Sequence, residues 1–405
     1  MRCGITPMDA VRNDRTDAVQ RTDTSSTRHV SGRWQQAAER TQTDGRRHPA
    51  RAEARVVAVP DSMRAMRITA HGGPEVLEPA EVAVPVPQAG EVLVKVSAAA
   101  LNNTDLWTRE GAYGRPGEPG ALSGWRGPID FPRIQGADVA GGIVALGAGV
   151  DPRLAGRRVV IDPAIYDAEG PHANPVGLMG SERDGGYAEY VTAPVERVHD
   201  MTQSPLTDDQ LAALPTAYGT ALGMIERGRL RKGETALVSG ASGGVGLALV
   251  QIAVARGARV LAISSGPKTA AVRAAGAHEV LDRARDLTGQ LRAAAPSGID
   301  VALDVVAGDT LTEGLPLLRE GGRWVVAGAL GGYDVAFDVR RLYLHNMQVI
   351  GSSMHTPTHF ALLMDMARRA EVRPVVAATF PLDQAARAQE ELAARRHVGK
   401  IVLCP

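Results

Sequence analysis

Four glycines between two apolar runs, Gly240, Gly243, Gly244 and Gly246, constrain this chain more than any other feature. Residues 235–239 form the short apolar run expected of a strand buried on both faces. From 245 to 256 the chain stays apolar apart from Gly246, Gln251 and the closing Arg256, long enough for three helical turns. Gly257 ends that helix, and residues 259–263 supply a second buried strand. The spacing predicts a βαβ unit with its tight turn at the glycines. Such a turn lets backbone approach a pyrophosphate, and the helix N-terminus adds unpaired N–H groups and a positive dipole end. Ala241 stands at the first position of the G-x-G-x-x-G pattern, followed by Gly243 and Gly246. A lone glycine cluster often marks a turn that binds nothing. The strand before it, the helix after it and the second strand favour dinucleotide binding.

The end of the second strand separates NAD from NADP. An NAD site places Asp or Glu about 20 residues past the first glycine, on the ribose 2′-hydroxyl. This chain has Ser264, Ser265, Gly266, Pro267 and Lys268 there. Without a carboxylate nothing repels a 2′-phosphate, and two hydroxyls with an ammonium suit one. NADP is the expected cofactor, although Lys268 also reads as a solvated residue opening the next helix.

The 405 residues suffice for two domains. Forty-five basic residues balance 45 acidic ones, so charge gives no case for nucleic acid or a membrane surface as partner. The two cysteines, Cys3 and Cys404, exclude a disulfide framework and a cysteine-rich zinc module, and they suit a cytoplasmic, reducing location. No apolar run approaches the ~20 residues of a membrane span.

Residues 1–62 lack Lys and any sustained apolar period, and are expected to be a disordered extension. From Arg64 the pattern is β: residues 66–69, 91–96, 139–146, 158–161 and 187–191 are short runs punctuated by Gly and Pro. Residues 114–128 and 162–186 are long irregular stretches, candidate rims of a pocket. Helical character returns over 208–228, before the βαβ unit. A helix near 269–275 and strands at 301–306 and 323–329 continue the alternation of a doubly wound parallel sheet. Helices at 360–370 and 382–396 and a last strand at 400–403 close the chain.

Several motifs in order carry a resemblance from Arg64 to the C-terminus. They are LNNTDLWTREGAY from Leu101, IQGADVAG from Ile134, RDGGYAEYV from Arg183, GASGGVG from Gly240, AGAHEV from Ala275 and HVGKIVL from His397. The chain resembles the medium-chain dehydrogenase/reductase superfamily. The resemblance implies an α/β fold with a GroES-like β-barrel catalytic domain and a Rossmann-type doubly wound parallel sheet. It divides the chain into the extension 1–62, a catalytic domain 63–205, an NADP-binding domain 206–348 and a return to the catalytic domain over 349–405. The active site would lie in the cleft between domains, and a homodimer or homotetramer is usual.

Zinc chemistry separates the two branches of that superfamily. A catalytic zinc takes about three protein ligands from Cys, His and Asp/Glu. At the positions where the zinc branch has Cys, His and Cys, this chain has Asn102, Ala137 and Thr216. The sequence therefore resembles the zinc-free, quinone-oxidoreductase-like branch, with no metal. That implies NADPH-dependent reduction of a quinone or an α,β-unsaturated carbonyl. In such a reaction the cofactor carries the hydride, and the protein supplies position and hydrogen bonds.

By the same resemblance Asn102, Thr104, Asp105, Trp107 and Tyr113 are the catalytic and pocket residues. Asp105 reads equally well as a helix cap and Trp107 as core filling. The pyrophosphate falls to Ala241, Ser242, Gly243, Gly244, Val245 and Gly246, and the 2′-phosphate to Ser264, Ser265 and Lys268. Thr220, Gly328 and Ala329 go to the nicotinamide side. Lys400 is a further cofactor candidate, or else a partner of a surface carboxylate. An alcohol dehydrogenase, a reductase dedicated to one biosynthetic intermediate, and a non-catalytic NADPH-binding protein are the competing readings.

Overall fold

The computed structural model describes residues 59–114 and 123–405. The extension read over 1–62 lies, up to residue 58, outside the described residues, as do 115–122 of the irregular stretch 114–128.

Among the described residues, six strands form a wholly parallel sheet. Its order is Glu279–Asp282, Arg259–Ser264, Thr235–Val238, Ile299–Asp304, Leu318–Val326, Gln348–Gly351. Alternating side chains explain the continuous apolar runs. Ala236, Val238, Val260, Val301 and Val325 enter one core with the helices Pro215–Arg227 and Gly244–Ala255. Leu237, Leu261, Ala302 and Trp324 enter another on the opposite face. The order reverses between Thr235–Val238 and Ile299–Asp304, so the crevice beyond their C-terminal ends is the switch point where such sheets bind ligands.

The other large sheet is organised on Glu91–Ala100. That strand pairs antiparallel with Asp138–Leu146, with Tyr190–Pro194 and with the last strand, Lys400–Cys404. Lys400–Cys404 in turn lies parallel to Val376–Pro381. The pairing of Val402 with Ala100, and the Leu101 N–H donated to the Ile401 carbonyl at 2.9 Å, carry Lys400 to the segment that follows Ala100. The combination of an antiparallel-dominated sheet and a doubly wound parallel one is the α/β architecture that the motifs implied.

Several local expectations need correction. The helical stretch 208–228 is two helices, Asp208–Ala212 and Pro215–Arg227. Pro215 begins the second, where its missing N–H costs nothing. The run 187–191 is not the strand; the strand is Tyr190–Pro194. Tyr187 instead donates its N–H to the Gln135 carbonyl at 2.8 Å. The irregular stretch 162–186 contains a hairpin, Ala164–Tyr166 with Pro175–Leu178. The strand read over 323–329 ends at Val326, which leaves Gly328 and Ala329 beyond it. Among the described residues, no helix is long and apolar enough to cross a membrane.

Candidate active site

The glycine turn has the shape that an anion site needs. Gly240 takes a φ of +56°, in the left-handed region. A Cβ on Gly246 would lie 2.2 Å from the Gly240 carbonyl oxygen and 2.6 Å from Ala241 Cα, so the helix packs on the turn only because that position is bare. Gly243 caps the helix Gly244–Ala255, and a Cβ there would meet nothing closer than 3.5 Å. Open space above a helix N-terminus with no acidic residue in its first turn is where a pyrophosphate fits. Ala241 plays a different part from the one expected. It is fully buried and donates its N–H to the Ile263 carbonyl at 3.1 Å, so it shapes the turn. The Ser242 carbonyl accepts the Gly399 N–H at 3.0 Å, which fastens the C-terminal segment to the turn, and Val245 is half-buried in the first helical turn.

Across the crevice, Asp304 holds the other wall. Its Oδ1 accepts from the Ser239 hydroxyl at 2.5 Å and from the N–H groups of Val306 and Ala307. Its Oδ2 accepts from the Trp324 indole at 2.9 Å. One buried carboxylate thereby fixes the ends of three neighbouring strands. Gly328 and Ala329 follow the strand end on that side, and Gly328 packs against the Val305 carbonyl.

The Ser264 hydroxyl is buried and has no hydrogen-bond partner among the described residues. A buried orphan hydroxyl at a strand end asks for a ligand or a water. Ser265 is half-buried beside it. Lys268 donates from Nζ to the carbonyls of Arg395 at 2.6 Å and His397 at 2.9 Å, so two of its three hydrogens tie down the C-terminal loop. Sequence reading missed Arg283. It follows the four-residue strand Glu279–Asp282, donates its N–H to the Ser264 carbonyl at 3.0 Å and presents an exposed side chain. Burial, and then the charge of Arg283, lower the Lys268 pKa, which places the two cations near one another.

The LNNTDLWTREGAY segment forms the helix Asn103–Glu110 with Asn102 as its cap. Asp105 does the capping. Its Oδ2 accepts the Asn102 N–H at 2.7 Å and the Tyr187 hydroxyl at 3.0 Å. Burial, with a smaller push from Asp138, raises its pKa to about 7 against these hydrogen bonds. Behind it, Gln135 donates to the Asp105 carbonyl, Gln389 donates to Gln135, and Arg109 donates to Gln389. Asp105 is thus a buried helix cap. Thr104 accepts the Tyr113 hydroxyl at 2.8 Å, and Trp107 meets the Tyr113 ring edge-on at 5.4 Å. Burial pushes the Tyr113 hydroxyl up to about 12, so it stays a neutral donor. Trp107 and Tyr113 are half-buried. Thr220 is buried one helical turn after Thr216, on the same face.

Lys400 is buried, and its partners among the described residues are internal ones. Its stem passes Gly244, where a Cβ would stand 2.7 Å from Lys400 Cδ. Its buried ammonium donates to the Leu101 carbonyl at 2.6 Å and to Asn102 Oδ1 at 2.5 Å, and lies 3.3 Å from Asp138 Oδ2. Asp138 Oδ1 accepts the Thr216 N–H at 2.8 Å. One side chain therefore runs from the glycine turn to Asn102.

This cluster answers whether zinc would fit. The three positions that hold ligands in the zinc branch carry an amide, a methyl group and a hydroxyl. Of the two carboxylates beside them, Asp138 is paired with an ammonium and Asp105 is taken up by the Asn102 N–H and the Tyr187 hydroxyl. Neutral amide and hydroxyl oxygens next to a fixed cation are a poor donor set for a dication. No group of three or more His, Cys, Asp or Glu suited to a metal ion exists among the described residues. The residues present do not fit zinc.

A second buried polar group lies next to this region. His355 Nε2 is 2.9 Å from Asp162 Oδ1, and the Tyr166 hydroxyl donates to Asp162 Oδ2 at 2.9 Å. The His355 ring packs on Gly219, in the helix that carries Thr216 and Thr220. Its neighbour Met354 joins Ala137, Ala164 and Leu178 in a small apolar cluster with Trp125 and Tyr166 against it.

Comparisons with known proteins identify the fold family. Residues 88–203 match the alcohol dehydrogenase GroES-like domain, and residues 244–369 match the zinc-binding dehydrogenase family. The chain is 33% identical over 359 residues to a quinone oxidoreductase of Mus musculus, covering 84% of this chain and 97% of that protein. A solved structure from Sinorhizobium meliloti 1021, described as an alcohol dehydrogenase, is 44% identical with a TM-score of 0.82, covering 86% of this chain and 98% of that one. A 2-octenoyl-CoA carboxylase reductase in complex with NADP and 2-octenoyl-CoA is 25% identical with a TM-score of 0.76, covering 86% and 88%.

Proposed function

The chain belongs to the medium-chain dehydrogenase/reductase superfamily of oxidoreductases, and from that membership we propose an NADPH-dependent, zinc-independent reductase of a quinone or an α,β-unsaturated carbonyl. The observation that carries this reading is the Lys400 ammonium lodged between Asn102 and Asp138, where the zinc branch keeps its metal. An enzyme built that way activates its substrate with hydrogen bonds and fixed charge, which suffices for acceptors that are already electron-poor. The likeness to a quinone oxidoreductase and to a reductase holding NADP and an enoyl thioester supports the same acceptor class.

In this reading the pyrophosphate lies over Gly243 and the N-terminus of helix Gly244–Ala255. The 2′-phosphate lies at Ser264 and Ser265, with Arg283 and Lys268 supplying positive charge. The nicotinamide reaches toward Asn102, past Thr216 and Thr220. NADPH supplies the hydride. Asn102 is the hydrogen-bond donor nearest the substrate carbonyl, and Trp107 and Tyr113 wall the pocket. We propose the domain limits 63–205 with 349–405, and 206–348, on the same basis, and a cytoplasmic location. A homodimer is supported by the edge strand Gln348–Gly351, with exposed Val349 and with Tyr343 and Leu344 close by in sequence.

The test is the fate of the hydride. Protein incubated with 4-deuterated NADPH and a simple enone should place deuterium at the β-carbon of the saturated product, read by mass spectrometry. NADPH consumption without deuterium in the product, or turnover of alcohols only, overturns the proposal.

A further inference from the structure

The amide of Asn102 has a fixed orientation, and Lys400 fixes it. An ammonium has three donor hydrogens and no acceptor, so the atom 2.5 Å from Lys400 Nζ must be the carbonyl oxygen of the Asn102 side chain. The amide nitrogen then faces away. Among the described residues it makes one long contact there, 3.4 Å to the Ala100 carbonyl, which leaves its second N–H uncommitted among them. Everything around Lys400 serves to hold it in place. Leu101 O takes a second hydrogen, Asp138 balances the charge, and the Thr216 N–H holds Asp138 from behind. The Asp105 carboxylate fixes the Asn102 backbone through its N–H. Asn102, 8% exposed, is thus held by backbone and side chain, with one donor hydrogen left over among the described residues.

We propose that Lys400 is a positioning residue that makes Asn102 a preorganised donor to the substrate carbonyl oxygen. This rests on the reductase reading above. The ammonium draws electron density toward Oδ1 and so polarises the amide, which strengthens the N–H on the other side. In the reaction, hydride with its electron pair leaves C4 of NADPH and bonds to the β-carbon of the enone. The C=C pair shifts to give an enolate with charge on oxygen, and NADP⁺ is the oxidised product. The Asn102 N–H bonds that oxygen without transferring its proton, and the α-carbon takes a proton from water. Lys400 stays an ammonium throughout. No metal is required, because the charge that would polarise the carbonyl reaches it through an amide.

The experiment is a double-mutant cycle on the full chain with NADPH and an enone. K400M, N102A and the double variant are compared in kcat, in KM for the enone and in the Kd for NADPH by fluorescence. K400M and N102A should each lower kcat about 100-fold, on the scale of losing one oxyanion donor. The double variant should be little worse than either single one, because the two residues act as a unit. The Kd for NADPH should move less than about threefold. N102D gives a readout that does not depend on K400M folding. It keeps an acceptor for Lys400 and replaces the amide NH2, both hydrogens at once, with a carboxylate oxygen, so kcat should fall as in N102A while Lys400 keeps its partner. K400M with wild-type kcat and a tenfold weaker Kd makes Lys400 a cofactor ligand and overturns the proposal. So does multiplicative loss in the double variant, or N102D with full kcat. Wild-type protein that fails to oxidise NADPH with any acceptor overturns the reductase reading itself, and this assignment with it.

Discussion

His355 and Asp162, 193 residues apart in sequence, meet at 2.9 Å with both side chains out of solvent. Burial alone would raise the Asp162 pKa. The imidazole, the Ala164 N–H and the Tyr166 hydroxyl outweigh it and hold the carboxylate below its usual range. Asp162 follows the strand Arg158–Ile161, and His355 follows the last parallel strand, so the pair joins the two sheets. Removing the imidazole leaves a buried carboxylate with less compensation. H355A should destabilise the protein by roughly 3–5 kcal/mol, and H355Q by less, in urea unfolding with m unchanged. An H355A midpoint equal to wild type refutes this.

Asp105 predicts a pH dependence of stability. Its folded pKa of about 7 lies above the ordinary aspartate value of 3.8, so between those limits the folded state holds a proton that the unfolded state has released. Stability from this group therefore falls as pH rises from about 4 to about 7, and is level beyond. Asn at this position does not titrate. The stability of wild type relative to D105N should decline across that window and then flatten, measured by chemical denaturation at several pH values. A rising difference would contradict the burial of an acid here.

Two glycines of the turn should separate folding from binding. In Gly246→Ala the new methyl meets backbone at 2.2 and 2.6 Å, so Tm should drop by several degrees and NADPH binding should be lost. In Gly243→Ala the methyl has room, and its φ of −81° suits any residue. Its Tm should stay within a degree or two while NADPH affinity falls at least tenfold, because the methyl fills the phosphate space. Calorimetry and thermal melts on the pair decide it.

The turn was legible in sequence because everything it needs is local. Strand, glycines, helix and second strand lie within 30 or so residues, each with its own period. The buried strands of the parallel sheet were legible for the same reason, as unbroken Val, Ile, Leu and Ala. What stayed hidden depends on chain closure. Lys400 reaches Asn102 across 298 residues and Asp138 across 262, and no spacing rule connects a terminal Gly-Lys pair with an asparagine near the start. The capping role of Asp105 was open beside a catalytic one, and the Tyr187 hydroxyl that completes its burial comes from a loop read as a strand. Arg283 was missed because its strand, Glu279–Asp282, is four residues long with an acid at each end.

Arg283 should contribute to cofactor choice. R283A removes an exposed cation whose backbone N–H bonds the Ser264 carbonyl and whose charge acts on Lys268. The preference for NADPH over NADH in kcat/KM should fall about tenfold, the scale of one charge-assisted hydrogen bond. The NADH value should be unchanged. Equal losses with both cofactors would place Arg283 elsewhere in the mechanism.

The most direct measurement is steady-state oxidation of NADPH by protein dialysed against a chelator and shown to be metal-free, with quinones and simple enones as acceptors and NADH in parallel. The expected result is full turnover with NADPH after chelation and a sharp fall with NADH. Activity that disappears on chelation and returns with zinc would contradict the assignment of Asn102, Lys400 and Asp138 as a metal-free site.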